Sequence, residues 1–220
     1  MKKLSLGIQD LSKFKEKNLI YVDKTKLIHK LIDEGDYYFL SRPRRFGKSL
    51  LVNTIHALFS GEKRLFDECW IYNNWNWEDK YNVIKISFTE IAYETQGLET
   101  ALGIYLDELG KLNKVTYDSP DYSGRFLELI KKLGQKKPVV VLIDEYDKPI
   151  IDYLEKSEFK QAQKNRDILK TFYSGIKDQD KYLRFFFITG VSKFSRVSIF
   201  SDLNHLTDIT ISKHFPDITG

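Results

Sequence analysis

Gly47-Lys48-Ser49 follows a loop, Ser41 to Phe46, that an apolar run, Tyr37 to Leu40, precedes; Leu50-Leu51-Val52 comes next, opening a segment with helical spacing. Glycine, lysine and a hydroxyl in that order, between a strand and a helix, form the end of a Walker A loop. Each residue has a chemical reason to be there. Gly47 lets the backbone approach phosphates closely, the amides that open the helix face negative charge, Lys48 reaches the β- and γ-phosphates, and Ser49 can ligate magnesium. The expected nucleotide-binding segment is therefore Arg44, Arg45, Phe46, Gly47, Lys48, Ser49 and Leu50. Position 42 departs from the pattern, holding arginine where glycine is usual. Pro43 biases Arg42 toward extended backbone, so the loop entry is not expected to be left-handed. Arg42, Arg44 and Arg45 either contact phosphates or face solvent.

A second stretch, Val139-Val140-Val141-Leu142-Ile143-Asp144-Glu145, is an apolar run ending in two carboxylates. Open α/β sheets bind ligands at such strand ends. In the Walker B reading, Asp144 holds magnesium and Glu145 acts as general base on the attacking water. The competing reading makes them a helix cap or surface carboxylates. Asp147 is either the N-cap before Lys148-Pro149 or a carboxylate behind the site. Leu183 to Thr189 ends in a threonine that can sit between the two motif strands and orient water or the γ-phosphate, or simply end a strand. Arg196 is either an arginine finger, in cis or across a subunit interface that would imply a homo-oligomer, or a solvated arginine.

Lys48 and Asp144 lie 96 residues apart, room for another strand, Val83 to Phe88, and two helices. An inserted strand and a glutamate beside the Walker B aspartate fit additional-strand ATPases better than nucleotide kinases or Ras-like GTPases. No Asn-Lys-x-Asp guanine signature is present, so ATP with Mg2+ is the expected cofactor pair.

Short continuous apolar runs separated by helix-spaced segments imply a parallel sheet covered on both faces. Expected strands are Tyr37 to Leu40, Val83 to Phe88, Val139 to Ile143, Leu183 to Thr189 and Asp208 to Ser212. Expected helices cover Asp23 to Glu34, ending at Gly35; a stripe from Leu98 to Leu112; a segment capped by Ser119-Pro120 and ended by Gly134; and Glu158 to Ile176. The fold class is α/β, a three-layer P-loop sandwich with a mainly parallel sheet of about five strands. Trp70, Trp75 and Trp77 fall in a polar loop, Cys69 to Tyr81, that either packs onto the domain or meets a ligand.

At 220 residues, 42% hydrophobic and 30% charged, the chain is long enough for one folded domain and far from disordered composition. A net charge of +4 excludes histone-like or strongly acidic proteins without establishing a nucleic-acid partner. A single cysteine, Cys69, rules out an internal disulfide and paired-cysteine zinc frameworks. The N-terminus lacks a signal-type apolar core, and no run spans a bilayer. These features lead us to expect a cytoplasmic protein. The four histidines, His29, His56, His205 and His214, show no ligand spacing, and no serine hydrolase or cysteine protease constellation emerges.

These residues together resemble the bacterial and archaeal AAA-ATPase-like family whose members are often fused to a C-terminal nuclease-like domain of the PD-(D/E)XK type. The resemblance rests on Gly7 to Phe14, Tyr21 to Thr25, Arg42 to Ser49, Val141 to Pro149, Thr189 to Ser195, Ile199 to Leu206 and Asp208 to Thr210. Arginine at position 42 is similar to what that family carries. The resemblance implies an AAA/STAND-like core in which Gly7 to Thr25 lies near the adenine. It also implies a nucleotide-state switch for an effector, with DNA reached through that effector. Asp217 to Gly220 resembles the point where family members continue toward a lid and the nuclease-like region. The chain is thus expected to be one domain, residues 1–36 leading into a core of 37–220, without a nuclease site. Two other functions stay open, an ATP/ADP-binding module with negligible hydrolysis and a DNA-associated interaction domain.

Overall fold

The computed structural model describes all residues except 1, 2, 5, 6, 194–198, 201, 202, 204 and 220. Five strands form one sheet: β1 (Tyr37–Ser41), β2 (Val83–Ser87), β3 (Val139–Asp144), β4 (Leu183–Gly190) and β5 (Thr207–Asp208). Their order is β2-β3-β4-β1-β5, and every pairing is parallel. Because neighbouring residues of a strand point to opposite faces, each run of apolar residues feeds two cores. Val139, Val141 and Ile143 join Phe186 and Ile188 on one face, and Val140, Leu142, Phe185 and Phe187 lie on the other.

The first face is covered by α5 (Leu98–Asn113), α6 (Tyr122–Gly134), α7 (Lys148–Glu155) and α8 (Phe159–Tyr173), with the short α4 (Tyr93–Gln96) ahead of them. On the second face lie α1 (Ser12–Glu16), α2 (Thr25–Glu34) and α3 (Lys48–Phe59). The helices begin where local chemistry lets them. Asp23 accepts the backbone N–H of Thr25 at 2.8 Å, satisfying a free donor at the start of α2. Asp121, not Ser119, caps α6, its carboxylate accepting the N–H of Gly124 at 2.9 Å. Ser119 is occupied otherwise, donating its N–H to Glu128 at 2.7 Å.

Several boundaries differ from the sequence reading. Leu112 lies on α5 but is 79% exposed, so the core stripe stops before it. Helix α8 ends at Tyr173, and Lys177–Tyr182 continues as a 3-10 turn. Gly35 follows α2 in extended backbone, and a side chain there would meet the Tyr38 hydroxyl at 2.6 Å. The last strand is only Thr207–Asp208. It stops because the N–H of Thr210 turns to the Asp208 carboxylate at 2.9 Å while its hydroxyl takes the N–H of Ser41 at 3.0 Å. Strand Val83–Ser87 stands between the two motif strands along the chain, yet in the sheet it flanks β3, and β4 separates β3 from β1.

Trp77 is buried against Phe66 and closes its indole N–H onto the Tyr72 carbonyl at 2.8 Å, so this ring packs the loop onto the domain. Trp75 packs edge-on to Phe59, and Trp70 edge-on to His29. Among the described residues, no helix is long and apolar enough to cross a membrane.

Candidate functional site

The C-terminal ends of β1, β3 and β4 meet at one edge of the sheet. Register sets what meets there. Leu40 of β1 pairs with Thr189, Ser41 pairs with Gly190, and Ile143 pairs with Ile188, which brings Asp144 beside Thr189. The Thr189 hydroxyl donates to Asp144 Oδ1 at 2.5 Å, and both groups are buried. Thr189 therefore lies between the strand that leads into the lysine loop and the strand that ends in carboxylates.

The loop after β1 is anchored at its entry and open at its crest. Arg42 donates its N–H to Gly190 O at 3.1 Å, and its guanidinium bonds the Thr210 carbonyl. Arg42 is half-buried, and its side chain ties the loop to the chain beyond β5. Left-handed backbone occurs later, at Arg45 (φ 69°) and Gly47 (φ 79°). Glycine adopts it freely, while an arginine pays on the order of 1 kcal/mol. Arg44, Arg45 and Phe46 are exposed, and Arg44 approaches Glu155 at 3.4 Å and Asp152 at 3.8 Å on α7.

Gly47 opens α3 without a side-chain cap, and Leu51 donates its N–H to Gly47 O at 2.9 Å across the helix start. The N–H groups of Lys48, Ser49 and Leu50 are thus the unpaired donors every helix start presents. Lys48 is 4% exposed and folds back, its Nζ donating to Arg42 O at 2.9 Å and Pro43 O at 3.0 Å. Burial lowers its pKa. The charges of Glu145, Asp144 and Asp147 work against that shift, which places all three carboxylates within electrostatic reach of one ammonium.

Glu145 stands in left-handed backbone at φ 55°, a conformation that costs a glutamate roughly 1 to 2 kcal/mol. Burial, then the charge of Asp144, raises its pKa, with Lys48, Lys148 and Arg44 pulling the other way. Asp147 occupies the N-cap position of α7 but makes no side-chain cap bond. Its carboxylate instead accepts the N–H groups of Val191 at 3.0 Å and Ser192 at 2.6 Å. Burial raises its pKa against those hydrogen bonds. The cap reading of Asp147 is thereby corrected, for the physical reason that the chain leaving β4 offers it better-placed donors.

Sequence reasoning passed over several groups at this edge. Tyr93 donates to Asp152 at 2.5 Å, and Lys148 bonds the same carboxylate and lies 3.1 Å from the Tyr93 hydroxyl. Gly190 has no room for a side chain, because a Cβ would lie 2.3 Å from the Tyr146 ring and 2.7 Å from Asp147. A glycine immediately after an apolar strand was the available signal for that packing. Arg196 lies outside the described residues.

The donor set suits a nucleotide with a hard cation. Open helix N–H groups and a lysine match phosphate, while a hydroxyl on the first turn of α3 and a carboxylate at the end of β3 match magnesium. Among the described residues, no three His, Cys, Asp or Glu side chains gather as a metal cage. Magnesium at a phosphate loop does not need one, since phosphate and water complete its shell.

The family described as predicted AAA-ATPase matches residues 5–200. The chain belongs to the predicted AAA-ATPase family. Membership points to nucleotide binding. The match takes in β1 to β4 and both motif ends, which are the elements that converge on the site. The chain is also 41% identical, over 225 aligned positions, to a protein of Azotobacter chroococcum mcd 1 described as an uncharacterized protein in the vnfD 5′ region. That alignment covers all of this chain and 43% of the relative, so the chain spans less than half of the relative's length.

Proposed function

We propose that this chain is a magnesium-dependent ATPase core of the additional-strand, AAA/STAND-like kind, forming one domain whose nucleotide state controls an effector or partner. The observation that carries this reading is the register that sets the Thr189 hydroxyl on Asp144, between the strand that leads into the Lys48 loop and the strand that ends in carboxylates. In it, Arg44 to Leu50 cradle the phosphates and Lys48 supplies positive charge to them. Ser49 and Asp144 would hold magnesium, which when bound would neutralise and polarise the phosphates. Glu145 takes the proton of the attacking water, its raised pKa bringing it nearer the operating range of a base. Thr189, already hydrogen-bonded to Asp144, orients that carboxylate and the water. Arg196 completes the charge on the γ-phosphate from a second copy, which makes turnover depend on protein concentration.

The test is ATP binding by calorimetry with wild type and Lys48→Ala. Loss of a charge-assisted phosphate contact should weaken binding by at least tenfold with the circular dichroism unchanged. Equal affinities rule out the phosphate loop. Binding without turnover would leave an ATP-holding module in place of an ATPase.

A further inference from the structure

The chain leaving β4 is held at every residue from Thr189 to Ser192. Tyr146 donates its N–H to Thr189 O at 3.0 Å and its hydroxyl to Ser192 O at 2.9 Å. Arg42 donates to Gly190 O at 3.1 Å, and Ser41 Oγ donates to Val191 O at 2.8 Å. The carbonyls are thus taken by the lysine-loop strand and the β3 turn together. The N–H groups of Val191 and Ser192 go to one group only, the carboxylate of Asp147, which is 1% exposed.

That pairing converges on one oxygen. Oδ2 accepts both N–H groups, and Oδ1 lies 3.2 Å from the first. An oxygen with two lone pairs can take both donors, whereas a side chain with no acceptor leaves both N–H groups unpaired. Gly190 lets the chain pass close enough for this, since its missing side chain is the space that the Tyr146 ring and Asp147 Oδ1 fill. One residue upstream, the Thr189 hydroxyl bonds Asp144. Rotating or loosening Gly190 to Ser192 therefore moves the hydroxyl that orients Asp144.

We infer that Asp147 is a positioning residue for the nucleotide site: by clamping Val191 and Ser192 to the β3 turn, it keeps Thr189 on Asp144 in the orientation that receives the cation. This rests on the proposed nucleotide-binding reading and deepens it. A merely structural Asp147 would change stability and leave the cation dependence of nucleotide binding alone.

The experiment compares wild type with Asp147→Ala, which removes the acceptor, by hydrogen exchange at the Val191 and Ser192 amides, and by ATP affinity measured in magnesium and in EDTA. Exchange at both amides should accelerate at least tenfold. The ratio of affinity in magnesium to affinity in EDTA should fall at least threefold, with the EDTA value within twofold of wild type. Thr189→Val, which leaves the clamp in place, should lower the same ratio, and Thr189→Ser should not. Unchanged exchange, or faster exchange with an unchanged ratio, overturns the inference. Should Asp147→Ala fail to fold, a Thr189→Val ratio equal to wild type overturns it as well. Wild-type protein that binds no ATP removes the nucleotide reading and this inference with it, whereas normal wild-type binding with an unaltered Asp147→Ala ratio removes the inference alone.

Discussion

Two glutamates of this domain sit in opposite electrostatic settings. Glu128, on α6, accepts the N–H of Asp118 at 2.9 Å and of Ser119 at 2.7 Å, bonds the Ser119 hydroxyl, and pairs with Lys132 at 3.1 Å. Burial alone would raise its pKa, but these donors outweigh it and hold the carboxyl down at about 2. Glu145, at the end of β3, is raised by burial and by Asp144, and stands in left-handed backbone. One carboxylate is saturated with donors and ties the loop before α6 to the helix. The other is left short of donors, strained and facing a lysine. Stability is served by the first arrangement and compromised by the second, a contrast in keeping with the role proposed for Glu145.

The sharpest way to break the contrast is Glu145→Gln. If Glu145 is the base, single-turnover hydrolysis should fall about 10² to 10⁴-fold with ATP affinity retained. A rate within about threefold of wild type would make Glu145 an ordinary strand-end carboxylate. Glu145→Gly sharpens the same point, because glycine relieves the left-handed strain. It should be no less stable than wild type in urea, and inactive.

Gly190→Ala comes next in size. Its methyl must displace the buried Tyr146 ring or the Asp147 carboxylate, an overpacking that should cost about 2 to 3 kcal/mol by denaturant unfolding and weaken magnesium-dependent ATP binding. Stability equal to wild type would mean the strand edge is looser than its contacts indicate.

Glu128→Gln tests the saturated partner. Losing the charge and turning an amide donor toward the Asp118 and Ser119 N–H groups should cost about 1 to 2 kcal/mol at pH 7, with nucleotide affinity unchanged. The pH dependence follows from the direction of the shift. The folded pKa lies below the ordinary 4.5, so this contribution is complete above about pH 4.5 and is lost as pH falls toward 2. The difference between wild type and variant should therefore narrow in acid; a difference that stays constant from pH 7 to 3 would separate the cost from ionisation. Leu112→Ser should show the smallest effect, within about 0.5 kcal/mol, because that side chain is already in water.

Much of this site could be read along the chain. Gly47-Lys48-Ser49 and Asp144-Glu145 announce themselves because their chemistry depends on neighbours in sequence, and the apolar runs before them mark buried strands. Asp147 was harder. A carboxylate just before Lys148-Pro149 looks like a helix cap, since local spacing carries no information about donors 44 and 45 residues away. Ser119 misled for the same reason: Glu128, nine residues on, draws its N–H away from capping duty. Neither alternative for Arg42, phosphate contact or solvent, anticipates its bond to the Thr210 carbonyl, because that partner is 168 residues distant.

Residue order along the chain sufficed for the alternation of strands with helices, for a lysine loop after one strand and for paired acids at the end of another. Those features are local in the chain: hydrophobic period, turn chemistry and residue order. Packing in three dimensions places β4 between the two motif strands, so that Thr189 meets Asp144, Asp147 grips the chain beyond Gly190, and Lys48 lies within electrostatic reach of three carboxylates. Strand order and register arise from packing two helical layers against one twisted sheet. Which side chains share a strand end is a property of that packing and has no counterpart in spacing along the chain.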